Sequence, residues 1–177
     1  PMPFTRMLSG FTHYHLGAFR AVPKDSFNTQ YTRLLMLGTR CHMLAMYVVL
    51  ENYLQMVCDY PAAYEGQSGF EFIKEIPTTW DETKVPSAKV EQYITVARRK
   101  NNDWYVGNIT NHEAREIDIA MNFLEAENYR AEIYSDQCNT NIHPNNFIKD
   151  IKELTKNDVF RLHLAAGGGE GRRIIKK

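Results

Sequence analysis

Two stretches of the sequence bring together side chains able to do chemistry. Residues 77–86 read Pro-Thr-Thr-Trp-Asp-Glu-Thr-Lys-Val-Pro. Trp80 offers a ring on which a sugar could stack, and Asp81 and Glu82 are the two carboxylates that an acid–base cleavage of a glycosidic bond would use. Such chemistry places its carboxylates about 5–10 Å apart across one bond. Adjacent residues of an extended strand point to opposite faces instead. The pair is better suited to capping a turn or to pairing with Lys84, as part of a structural joint. The second stretch is His13-Tyr14-His15. Extended backbone sends residues i and i+2 to one face, so the two imidazoles could share a metal. A zinc site takes at least three protein ligands, and the motif supplies two. Hydrogen-bonded or solvated histidines are the simpler reading.

The remaining chemical signals are weaker. Asn108-Ile109-Thr110 fits the N-glycosylation triplet but falls inside a strand pattern. Gly167-Gly168-Gly169 lacks the G-x-G-x-x-G spacing and the following helix of a phosphate cradle. Cys41, Cys58 and Cys138 are scattered, odd in number and without C-x-x-C spacing, so they read as small hydrophobes. His42, His112, His143 and His163 are isolated and receive no role.

The elements that must position these residues come in two kinds. From 28 to 58 the apolar positions Leu34, Leu37, Cys41, Leu44, Ala45 and Val48 recur at spacings of three and four, which predicts a long helix. Leu54–Cys58 predicts a second helical piece that stops before Pro61, and 69–76 a third closed by Pro77. After Pro86 the period becomes two. Strands are predicted at 91–99, 103–110, 116–123, 129–133, 160–164 and 172–176, with 147–154 as a seventh and Asn101-Asn102-Asp103 as a hairpin turn. The fold class is therefore α+β, N-terminal helices followed by an antiparallel β-sandwich. Clean alternation further predicts that 88–177 folds without the helices.

Composition sets outer bounds. The 177 residues are 44% hydrophobic, which supports a packed core. Lys+Arg and Asp+Glu both number 21, giving no basic field for nucleic acid. No apolar run approaches the roughly 18 residues of a membrane-spanning helix. The first residues lack the charged and apolar regions of a secretory signal. The segment 34–57 is apolar around most of its circumference and needs cover on several sides; a face left bare should be closed by a homodimer through it or leave residues 1–60 loosely ordered.

Eight blocks run in order along the chain: PFTRMLSG, YHLGAFRAVP, GTRCHMLAMYVVLEN, LQMVCDYPAAYEG, FIKEIPTTWDETKV, YITVARR, WYVGNITN and LHLAAGGG. Together they resemble the C-terminal part of glycoside hydrolase family 97, the α-glucosidase and α-galactosidase family, across nearly all of residues 3–169. The resemblance implies an enzyme of three parts: an N-terminal β-sandwich, a (β/α)8 barrel and a C-terminal β-sandwich. It implies cleavage of α-glycosidic bonds in an oligosaccharide by barrel carboxylates near a bound calcium, by inversion in some members and retention in others. It also implies a periplasmic or secreted enzyme.

On that resemblance PFTRMLSG corresponds to the last barrel strand and 28–76 to the closing helices. The chain divides into 1–87, the remnant of the barrel's end, and 88–177, the sandwich. The family's catalytic and calcium-binding carboxylates precede the PFTRM block, so the resemblance implies no catalytic residue, metal ligand or cofactor here. Where the family reads glycine, proline, any residue, aspartate, tyrosine, this chain reads Gly10-Phe11-Thr12-His13-Tyr14. His13, Tyr14 and His15 thus become candidate substrate-binding residues at the barrel mouth. The alternative is a non-catalytic carbohydrate-binding or structural module that presents Tyr93, Trp104, Tyr105 and Tyr134.

Overall fold

A computed structural model describes residues 2–177. A six-stranded antiparallel sheet forms its middle layer, in the order β3-β4-β5-β10-β7-β8. These strands are β3 (Glu82–Lys89), β4 (Tyr93–Lys100), β5 (Asp103–Thr110), β7 (Tyr129–Asp136), β8 (Phe147–Leu154) and β10 (Gly169–Lys176). An antiparallel pair, β6 (Arg115–Ala120) with β9 (Val159–Leu164), covers one face. Helices α1 (Arg40–Val49) and α2 (Phe70–Glu75) cover the other. A two-residue parallel pair, β1 (His15–Leu16) with β2 (Met56–Val57), lies in the N-terminal part.

Alternation along the strands sorts side chains into two cores. Trp104, Val106, Ala131, Ile133 and Ile174 meet Ile117, Ile119, Leu162 and Leu164 of the covering pair. Tyr105 and Tyr134, on the opposite face, join Leu44, Tyr47, Val48 and Phe72 of the helical layer. The helices therefore share a core with the sheet. A chain starting at residue 88 would lose six of the eight residues of β3 and uncover Tyr105 and Tyr134, so the expectation that 88–177 folds alone does not fit this packing.

The long helix predicted from residue 28 is shorter than its rhythm. Residues 20–36 are drawn into long-range pairing: Met36 N–H donates to Arg20 O (3.1 Å) and Val22 N–H to Met36 O (3.0 Å). Gly38, at φ 92°, turns the chain in the left-handed region open to glycine. Thr39 then caps α1 by accepting from His42 N–H (3.0 Å). Eight of the ten residues of α1 are buried, so the helix is covered by its own chain and the face predicted to lack cover is absent there. Leu54–Cys58 is not helical, because β2 pairs with β1 at His15↔Met56 and Leu16↔Val57. The third piece forms as α2.

All seven expected strands form. The alternation missed β3, whose Pro86 argues against a strand. Proline is tolerated on an edge, and here it falls where the register with β4 shifts between Lys84 and Ser87. The hairpin turn forms with Asn101 at φ 54°.

Candidate functional site

Trp80, Asp81 and Glu82 sit where the helical layer meets the edge of the sheet. The Trp80 ring meets Tyr105 edge-on at 5.5 Å, with the Arg98 guanidinium 5.9 Å from its centroid. Asp81 leads into β3 and reaches the β4–β5 turn. Its carboxylate accepts from Asn101 N–H (2.7 Å) and from Lys100 Nζ (3.2 Å). Glu82 pairs with Lys84 and Arg99, each at 3.1 Å. The Asn101 N–H and Lys100 hold Asp81 below the usual carboxylate range, and Lys84 and Arg99 do the same for Glu82. A general acid needs the opposite displacement. The three residues act as a joint.

At the other candidate, His13 and His15 are exposed and Tyr14 between them turns inward. Asn52 Nδ2 donates to Tyr14 O (3.4 Å), fixing the entry into β1. Among the described residues no three His, Cys, Asp or Glu side chains converge closely enough to hold a metal ion. Trp104, Tyr105 and Tyr134 are buried, and Tyr93 is half-buried against the sandwich core. Trp104, Tyr105 and Tyr134 are not available as stacking platforms. Asn108 is buried beside Glu170, out of reach of a glycosylating enzyme.

The residues that sequence reasoning passed over are buried charges. Arg40 donates to Phe19 O (2.6 Å), Ser68 O (3.2 Å), Gln67 Oε1 (3.1 Å) and Asn145 Oδ1 (3.2 Å). Asn145 exchanges two further bonds with the backbone of Ala21. A polar cleft of about 600 Å³ opens beside this cluster. Its donors are directed at the chain's own carbonyls, tying the N-terminal loops to the β7–β8 connection. Arg98 closes the C-terminal end of α1, donating to Val48 O (2.7 Å) and Val49 O (3.3 Å).

Asp136 is buried at the N-terminal end of α1. Its Oδ2 accepts from Ala165 N–H (3.2 Å) and Gly169 N–H (3.0 Å), gathering the Gly167-Gly168-Gly169 turn. Burial outweighs these bonds and pushes the carboxyl up to about 6. A raised pKa means that the folded protein holds this proton more tightly than the unfolded chain. The associated stability is complete below the unfolded value near 4 and is lost as pH rises through about 6. Relative to Asp136→Asn, which keeps an acceptor oxygen, the wild type should lose about 2 kcal/mol between pH 4 and pH 6.5. Urea titrations of both proteins across that range provide the check.

Residues 79–175 match the family model described as glycosyl-hydrolase 97 C-terminal, oligomerisation. A retaining alpha-galactosidase from Bacteroides thetaiotaomicron is 38% identical over 174 residues, which cover 98% of this chain and 26% of the relative. A glycoside hydrolase family 97 enzyme from Pseudoalteromonas sp. strain K8, solved with panose, superimposes with a TM-score of 0.87 at 30% identity. That match covers 99% of this chain and 28% of the other. The same organism's family 97 enzyme with acarbose gives 0.86 and 31%, with equal coverage. The chain thus spans about a quarter of the length of the relatives it matches.

Proposed function

The chain belongs to glycoside hydrolase family 97, and from that premise we propose that it is the assembly-bearing C-terminal portion of an enzyme that cleaves α-galactosidic bonds in oligosaccharides. The observation that carries this reading is the 38% identity to a retaining alpha-galactosidase along 98% of the chain. The structures solved with panose and acarbose favour a second reading, an α-glucosidic substrate. In either case the chemistry and any calcium belong to parts of the enzyme outside this chain. A longer protein carrying this segment should turn over an aryl α-galactoside with the higher kcat/KM; a preference for the aryl α-glucoside would select the second reading.

Within the chain we propose the division 1–87, the closing end of the barrel, and 88–177, the sandwich, with β3 (Glu82–Lys89) carrying the chain from one to the other. Residues 3–10, expected as the last barrel strand, form 3₁₀ turns at Met2–Phe4 and Arg6–Ser9 instead, so the support for this division is the parallel pairing of β1 with β2, since barrel strands are parallel. His13, Tyr14 and His15 then line the barrel mouth, with the exposed imidazoles of His13 and His15 available to a sugar hydroxyl. Around 34–57 the exposed apolar side chains are Leu37, Tyr53, Leu54 and Val57, and Phe11 packs on Tyr53 at 3.9 Å. We assign this face to the rest of the barrel rather than to a second copy, because α1 itself is already covered. The chain alone should give no saturable heat when titrated with melibiose or maltose. Saturable binding at these sugars would favour a carbohydrate-binding module instead.

A further inference from the structure

The sheet has two edges, and they differ in what they can accept. On β3 the edge is interrupted by Pro86, which has no N–H, and by the register shift around it. On β8 the edge is regular: all eight residues pair with β7, from Asp136↔Phe147 to Tyr129↔Leu154, without a bulge. Ile148 and Ile151 are 47% and 51% exposed on it. A long unblocked edge with exposed isoleucines is a template for another strand.

Resting on the reading of this segment as an oligomerising part, we propose that β8 pairs antiparallel with β8 of a second copy, about a two-fold axis at Ile151. The sequence of the strand fixes the axis. Directly opposed residues in an antiparallel ladder must both turn their N–H and C=O toward the partner or both turn them away. In a two-fold pair the axis must therefore pass through a residue position. Placed at Lys149, Asp150, Lys152 or Glu153, it would set a charge against its own copy. Placed at Ile148, it would leave too little of β8 to pair, because the strand begins at Phe147.

At Ile151 every opposition is favourable. Ile151 meets Ile151, Asp150 meets Lys152, Lys149 meets Glu153, and Ile148 meets Leu154. The two charge pairs fall on opposite faces, since Lys149 lies beside Tyr134 and Asp150 beside Ile133 in the ladder with β7. Each pair extends an ion pair the chain already makes. Asp150 and Lys152 are 3.4 Å apart along the strand, and Lys149 reaches Glu71 at 3.0 Å. Glu153 reaches Lys177 at 2.6 Å. The Ile151 N–H is held by the Asp150 carboxylate at 2.8 Å. In the dimer it passes to a carbonyl of the second copy, which frees Asp150 for Lys152 across the axis.

Charge reversal tests this register. In Asp150→Lys, and separately in Lys152→Asp, two like-charge oppositions replace two attractive ones. The double variant Asp150→Lys/Lys152→Asp restores the attraction with the signs exchanged. Sedimentation equilibrium at micromolar concentration should give twice the 20.6 kDa chain mass for the wild type and the double variant. Each single variant should dimerise at least about tenfold more weakly, with unchanged circular dichroism. A wild type that assembles but is indifferent to the single reversals overturns the β8 interface while leaving oligomerisation in place. A wild-type chain that stays monomeric overturns both.

Discussion

Gly107→Val should lower the melting temperature of the chain by about 10 °C. Gly107 lies on β5 directly opposite Gly171 of β10, so two glycines adjoin in the middle of the sheet. Helix α1 rests on one and α2 on the other. A Cβ at Gly107 would lie 2.6 Å from Ala45 O and 3.0 Å from Val48 Cβ and Val49 Cγ2. At Gly171 it would meet the Phe72 ring at 3.0 Å. The first of these neighbours is backbone within a buried helix, which cannot move aside as a flexible side chain does. Overpacking of this kind costs about 1–3 kcal/mol, and more where the surroundings are rigid. In a domain of this size each kcal/mol shifts the midpoint by about 2–4 °C. Differential scanning calorimetry reads the shift, and Gly107→Ala should give a smaller one of the same sign. An unchanged midpoint would mean that α1 does not sit on β5 at this distance.

The second large effect concerns the buried pair Glu170–Arg172 on β10. Both side chains are almost fully shielded, and Arg172 Nε donates to Glu170 Oε1. Asn108 Nδ2 adds a bond to the same carboxylate oxygen at 3.4 Å, and the guanidinium lies 4.4 Å from the Phe160 ring centroid. Glu170→Leu leaves a guanidinium in the core without its counter-charge and should cost about 3–5 kcal/mol. Glu170→Leu combined with Arg172→Met removes both charges and should recover most of that loss. Chemical denaturation of the single and double variants closes the cycle. If the double variant is as unstable as the single, the loss comes from packing rather than from an orphaned charge.

The strands of the sandwich were legible because alternation is a local property. Ile117 and Ile119 face the core while Glu116 and Asp118 face solvent, whatever the rest of the chain does. Residues 28–39 were misread for the complementary reason. Their apolar spacing suits a helix, but the pairing of residues 20–22 with Met36 and the left-handed turn at Gly38 override it. Pro86 hid β3, since tolerance of proline depends on the strand's lying at an edge. Of the glycines at 167–169, Gly169 belongs to β10 and closes against His42 of α1, a close approach that no local pattern marks.

Buried polar residues were the least legible. Arg98 meets Val48 across 50 residues and His42 meets Gly168 across 126, and no spacing along the chain encodes those meetings. Asp136 looked like any strand-end acid until the fold buried it. At the two sites the sequence did single out, the geometry is divided. Trp80, Asp81 and Glu82 lie where the helical layer meets the sheet edge, paired with Asn101, Lys100, Lys84 and Arg99, whereas His13 and His15 are exposed. The functional reading came from ordered blocks of similarity rather than from any single residue or spacing.

The most direct test of an assembly role without chemistry is turnover of an aryl α-galactoside and an aryl α-glucoside by the purified chain. Hydrolysis of either requires two carboxylates held across one bond. The pair most suggestive of that role, Asp81 and Glu82, is engaged with Asn101 and Lys100 and with Lys84 and Arg99. The rate should equal that of buffer for the wild type and for Asp81→Asn and Glu82→Gln alike. Turnover above buffer that disappears in either variant would contradict the account and make residues 80–82 an active site.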